Sequence, residues 1–325
     1  MKIQEIRDLI SKAQRDQVEK AFAECYKQLP KHKKEEVDVI IQDIFAGKDV
    51  KKREEKVSIS FEDLEREIEV FLSNAYAQNY YAPNRVIPKS QRPKWRFQVK
   101  GYIKELSMIG QDSEYHSRML KLLRELYQML CYACNYYIFS TEDPFRSIGW
   151  QQSELFEILV KKTFEEGYSK ESIKDLVLTA ATGGLSRESL HIGQEIVLVT
   201  ALKTTDVKYM AIEETQKLVL ERQEQLKNLK KYDNKKYYLE DAINQLCNII
   251  FLLSIELAET DSGIKYYFAN SIAISKEVTL YRALDIVKRI GGGDDLWLKT
   301  YQYGLSQKIK PREELAEQYW KLLQK

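Results

Sequence analysis

The sequence predicts an all-α protein, an irregular array of antiparallel helices, and three observations carry that expectation. Gly (13) and Pro (6) are scarce in 325 residues, whereas all-β and α/β chains draw on both at their many turns. Apolar residues recur at three- and four-residue spacing along most of the chain, with no convincing run of strand alternation. Cap signals also recur: a Gly, a hydrophobic residue and a Ser at Gly167–Ser169 return seventeen residues later at Gly184–Ser186, and Ser275 with Glu277 repeats part of the pattern. Each reads as a glycine closing one helix and a serine capping the next.

The elements follow in order. Ile3, Ile6, Leu9 and Ile10, then Val18, Ala21, Phe22, Cys25 and Leu29, form apolar stripes up to Pro30. Val37, Ile40, Ile41 and Ile44 mark a further helix, with Gly47 as its cap. Residues 1–47 thus read as an N-terminal helical hairpin. Lys48 to Lys56 is a mixed-charge linker with few apolar anchors, and residues 57–325 read as the array itself.

Within the array, Ser60 caps a helix with Glu62 and Asp63 in its first turn. Pro83 and Pro88 make Tyr80 to Lys89 a loop. Helices are expected over Ser90 to Ile109, Asp112 to Ile138, and from Asp143-Pro144 to Glu166. A long charged helix spans Asp206 to Lys231, and Lys236 to Glu259 holds the most apolar stretch, Leu246 to Ala258, expected to be the most buried helix of the core. Ile264 to Ile274, Lys276 to Ile290, Leu296 to Leu305 and Pro311 to Leu323 complete the chain.

The signature residues of tetratricopeptide and ankyrin repeats are absent. The architecture that remains is an α-solenoid, similar in kind to HEAT-like proteins, or a helical bundle. That likeness is one of architecture and rests on no family motif.

Composition bounds the function. Hydrophobic residues make up 44% and charged residues 31%, the balance of a folded chain. The apolar stretch at 246–258 contains Asn248, Ser254 and Glu256 and is too short to span a bilayer, so no membrane partner is expected. The N-terminus is charged from the start and lacks a signal-peptide core, and four dispersed cysteines argue for a reducing compartment; a cytoplasmic location follows as an expectation.

No motif assigns catalysis, a metal or a cofactor. Cys131 and Cys134 form a lone CxxC inside an apolar helical pattern, which reads as two small buried hydrophobes. His32, His116 and His191 have no metal-ligand spacing. Gly291-Gly292-Gly293-Asp294-Asp295 lacks the Lys-Ser/Thr of a phosphate loop and reads as a helix end followed by an acidic helix start.

One segment departs from the charge balance of 51 basic and 49 acidic residues. Between Val70 and Lys104 there is no Asp or Glu, and there are seven cations: Arg85, Lys89, Arg92, Lys94, Arg96, Lys100 and Lys104. On a helix, Trp95, Val99, Tyr102, Ile103 and Leu106 form an apolar arc, with Arg96, Lys100 and Lys104 stacked on its flank. With Tyr80 and Tyr81 nearby, this would suit phosphates or single-stranded nucleic acid. It would equally suit ion pairing with a neighbouring helix, for example Glu62, Glu65 and Glu69. The 21 tyrosines include doublets at 80–81, 136–137, 237–238 and 266–267, a residue type that suits interfaces.

The leading expectation is therefore a non-enzymatic helical-array protein that binds a protein or peptide partner. The alternative is nucleic-acid binding through residues 85–104. A third reading is an enzyme whose site assembles from scattered side chains.

Overall fold

A computed structural model describes residues 3–29, separate positions between 34 and 46, and residues 60–181, 184–189, 192–230 and 233–324. Pro30, His32, Gly47, the linker 48–56 and His191 lie outside the described residues. Among the described residues there are fifteen α-helices and no strand: the protein is all-α. The chain divides into two compact units, residues 1–60 and 61–325.

In the first unit, α1 (Ile3–Lys12) and α2 (Arg15–Lys27) are separated by a short break. The Gln17 side chain accepts from the Gln14 backbone N–H at 3.1 Å, which starts α2. Tyr26 Oη donates to Asp38 Oδ1 at 2.5 Å. The expected apolar stripe is present, yet Ile6, Leu9, Ile10 and Phe22 on it are exposed.

The second unit contains α3 (Phe61–Tyr76), α4 (Trp95–Ser107), α5 (His116–Asn135), α6 (Pro144–Ile148), α7 (Gln152–Thr163), α8 (Lys170–Ala180), α9 (Gly193–Ala201), α10 (Thr205–Lys227), α11 (Lys235–Glu256), α12 (Thr260–Asn270), α13 (Lys276–Arg289), α14 (Gly293–Ser306) and α15 (Glu313–Leu323). Helices in substantial contact stand one or two places apart in chain order. Sequential stacking of this kind is what an array of short-looped helices produces.

The centre is α11. Ile243, Leu246, Cys247 and the run from Ile249 to Ser254 are buried, and α9, α10 and α12 pack around them. Ser254 is small where α12 approaches: a Cβ on Gly263 would lie 2.5 Å from Ser254 Cβ. At α10, Thr204 caps by accepting from Val207 N, and the 23-residue helix is roughly 35 Å long.

One of the three serine caps expected from the sequence does not form. Ser169 and Ser275 do cap α8 and α13, accepting from Ser172 N and Val278 N. Ser186, the middle member of the echo, caps no helix. It is buried and donates to Asp143 Oδ2 at 2.6 Å, while Arg187 N donates to the same oxygen at 3.0 Å. A buried carboxylate with unfilled acceptor sites outcompetes the start of a helix. Gln152 anchors the same loop, donating to Gly184 O at 2.8 Å and accepting from Ser186 N at 2.9 Å. Gly184 itself sits so close to α5 that a Cβ there would lie 2.2 Å from Cys131 O.

The continuous helix expected up to Glu166 is also broken. Asp143 caps α6, which stops at Gly149 in the left-handed region (φ 74°), and α7 begins at Gln152. At the chain end, Pro311 precedes the helix start by two residues instead of occupying it. Gly291 (φ 66°) closes α13, and Asp294 and Asp295 fall in the first turn of α14. No helix among the described residues is long and apolar enough to cross a membrane.

Candidate functional site

The acid-free segment forms a built surface. Asn84 organises its loop: its Oδ1 accepts from Val86 N and Ile87 N at 2.8 Å each, and its Nδ2 donates to Asn79 O and Ala82 O at 2.7 Å each. Arg92 closes the loop from the other side, with Nε donating to Ile87 O at 3.0 Å and Nη2 to Asn84 O at 3.2 Å. A single 3-10 turn, Arg92–Lys94, then leads into α4.

The apolar arc of α4 is buried as the spacing requires: Trp95, Val99, Tyr102, Ile103 and Leu106 face the core. Trp95 stacks on Phe139 with centroids 3.9 Å apart. Burial pushes the Tyr102 hydroxyl up to about 12. With that face fixed inward, Arg96, Lys100 and Lys104 are held outward and exposed, as are Arg85, Lys89 and Lys94. Among the described residues none of the seven cations lies within 4.0 Å of a carboxylate. The pairing with Glu65 does not occur, because that carboxylate binds Arg118. Arg96 lies over its neighbour Phe97, which is 64% exposed, and Lys100 over Trp150 at 5.6 Å. Arg92 stands apart from the other six: it is half-buried and two of its five donors are used on the loop.

Tyrosines continue this surface. Tyr76 meets Tyr132 at 5.4 Å, Tyr132 stacks on Tyr136 at 4.3 Å, and Tyr81 stacks on Tyr137 at 5.8 Å. Tyr238 sits beside the Tyr136 hydroxyl and raises its pKa, and Tyr237 packs edge-on to Tyr238. All seven rings are exposed. Tyr80, expected among them, is buried against Phe71 and Phe139. A shallow cleft lined by Tyr136, Tyr137, Thr141, Glu142 and Arg187 leads from the tyrosines to a second that shares Thr141, Glu142 and Arg187 and reaches Arg96. The doublets were visible in sequence; their convergence was not, since Tyr76, Tyr136 and Tyr238 come from three separate parts of the chain.

The other predicted candidates have local explanations. Cys131 is buried and accepts from Gln152 Nε2 at 3.3 Å, while Cys134 donates to Leu130 O within α5; burial pushes the Cys134 thiol far up, the opposite of an activated nucleophile. His116 is buried, with Nδ1 2.8 Å from Glu166. Among the described residues no group of three or more His, Cys, Asp or Glu side chains gathers as a metal site.

A second concavity has no signature in the sequence. A cavity of about 320 Å³ lies between α11, α12 and α13, and Asp241, Asn248, Tyr267, Arg282, Asp285 and Arg289 are in its wall. Behind it Glu195 is completely buried, and neither carboxyl oxygen has a partner within 3.5 Å among the described residues. Burial pushes this carboxyl up to about 8; its own backbone and the Asn248 amide oppose the rise, and the Asp241 charge adds to it. Comparison with protein-family models, curated proteins and solved structures finds no match to this chain.

Proposed function

We propose that this chain is a binding protein that docks single-stranded nucleic acid across the face formed by α4, its preceding loop and the exposed tyrosines. The observation that carries the reading is the set of six exposed cations, Arg85, Lys89, Lys94, Arg96, Lys100 and Lys104, none within 4.0 Å of a carboxylate among the described residues. Unpaired cations on a rigid helix are available to phosphates without first breaking an internal ion pair. The neighbouring tyrosine rings supply flat apolar faces on which unpaired bases stack, a sequence-tolerant contact worth roughly 1–3 kcal/mol per base. A net charge of only +2 fits a local footprint better than a wrapped one.

The test is fluorescence anisotropy of a labelled single-stranded DNA or RNA 20-mer, with a duplex of the same length as competitor. The reading expects binding at low salt that prefers the single strand and is lost when Lys94, Arg96, Lys100 and Lys104 are changed together to Gln. No binding at low salt, or equal binding by the variant, contradicts it.

A second reading, a protein or peptide partner, is favoured by the tyrosines alone. Joined exposed rings such as Tyr76, Tyr132 and Tyr136 suit the centre of a protein interface. Such a partner would be retained at salt concentrations that release nucleic acid.

A further inference from the structure

The cavity between α11, α12 and α13 has an unusual charge arrangement. Arg289 and Asp285, both in its wall, pair with each other at 2.6 Å. Arg282 and Asp241, in the same wall, do not: among the described residues neither has an ion-pair partner within 4.0 Å. Arg282 uses one donor on Ile272 O at 3.3 Å, and Asp241 accepts from Gln245 Nε2 at 2.7 Å. Two opposite charges thus face one concavity and are kept apart. The Tyr267 side chain, only 1% exposed, lies in the same wall. Arg282 is exposed and Asp241 half-buried, so both charges are open to a small molecule that enters the concavity.

We propose that this cavity binds a small zwitterion of the α-amino-acid type, its carboxylate held by Arg282 and its ammonium by Asp241. Arg282 offers a planar fork of donors that matches a carboxylate. Asp241 offers acceptor oxygens to an ammonium group. The Tyr267 hydroxyl supplies a further hydrogen bond. With the Arg289–Asp285 pair internally neutral, the wall carries one net positive and one net negative charge, so a ligand with one of each fits without leaving a charge unmatched. The volume, at the small end for ligand pockets, suits a molecule of this size. Neither Asp241 nor Arg282 belongs to the proposed nucleic-acid face, and this inference stands or falls without it.

The experiment titrates the intact protein with each of the twenty free L-amino acids at up to about 10 mM, the weak end of small-ligand affinities, reading thermal shift and then calorimetry on any that stabilise. At least one should raise the melting temperature. Its N-acetyl and carboxamide derivatives, each lacking one charge, should bind at least ten-fold more weakly. Arg282→Gln and Asp241→Asn should each weaken binding at least ten-fold, with the exposed Lys310→Gln as the control that does not. Because the derivatives are tested on the unmodified protein, a variant that folds poorly does not shield the proposal. Absence of any shift overturns it, as does binding that survives loss of either ligand charge.

Discussion

The basic face around α4 and the cavity beside α11 both hold charges that have no ion-pair partner among the described residues, but they hold them differently. On α4 and its loop the charges are of one sign, exposed, and follow one another closely along the chain; Arg96, Lys100 and Lys104 stand on successive turns. Beside α11 they are of both signs, line one concavity with Arg282 exposed and Asp241 half-buried, and come from separate helices, with Asp241 on α11 and Arg282 on α13. The first arrangement suits a long polyanion that lies along a surface. The second suits a small molecule that carries both charges at a fixed separation. The contrast teaches that unpaired charge is informative only together with the shape that displays it.

The comparison can be broken most forcefully at the scaffold. Trp95→Ala removes the ring stacked on Phe139 and should cost about 3–5 kcal/mol, read by denaturant unfolding. Gly184→Ala, which would place a Cβ against Cys131 O, should cost roughly 1–3 kcal/mol or more by the same measurement. If either variant unfolds like the unmodified protein, the packing that holds the two surfaces is misassigned.

Changing Lys94, Arg96, Lys100 and Lys104 together to Gln should cost at most about 1–2 kcal/mol of stability, the cation–π contacts of Arg96 and Lys100, because these side chains make no ion pair. It should nonetheless weaken single-strand binding about 100-fold, close to 2.8 kcal/mol. Arg92→Gln should do the reverse, loosening the Asn84 loop while having a smaller direct effect on phosphate binding, because Arg92 is half-buried and held by two bonds inside the loop. Tyr136→Ala, which removes one exposed ring, should cost binding roughly ten-fold, near 1.4 kcal/mol, with stability nearly unchanged.

Glu195 sharpens the other side of the comparison through pH. Its folded-state carboxyl is raised to about 8, so the folded protein holds a proton that the unfolded chain releases near the ordinary value of 4.5. Stability from this group is fully present below 4.5 and is lost as pH rises towards 8, by at most about 1.4 kcal/mol per pH unit. Glu195→Gln should therefore gain on the unmodified protein as pH rises through that window in urea unfolding. A constant difference across the window would place the carboxyl outside a desolvated site.

The same contrast explains what the sequence could reveal. The all-α class, the buried arc of α4 and the core run of α11 were legible because each depends on periodicity within one helix. The basic face was legible because its charges are contiguous. The cavity was not, since Glu195, Asp241 and Arg282 are brought together only by packing. Local cap chemistry misled at Ser186, where a tertiary partner, Asp143, overrode the signal that holds at Ser169 and Ser275. Gly149 broke the helix expected through residue 166, and a lone glycine in an apolar pattern carries too little information to place such a break.

The most direct test of the central claim is the salt dependence of single-strand binding, measured by anisotropy for the unmodified protein and the four-cation variant. Each phosphate that the variant no longer neutralises should reduce the slope of log K against log salt by about 0.7, so the variant should show a slope shallower by about 3. A variant that binds with the unmodified slope would mean that Lys94, Arg96, Lys100 and Lys104 touch no phosphate, and the basic face would have no part in nucleic-acid recognition.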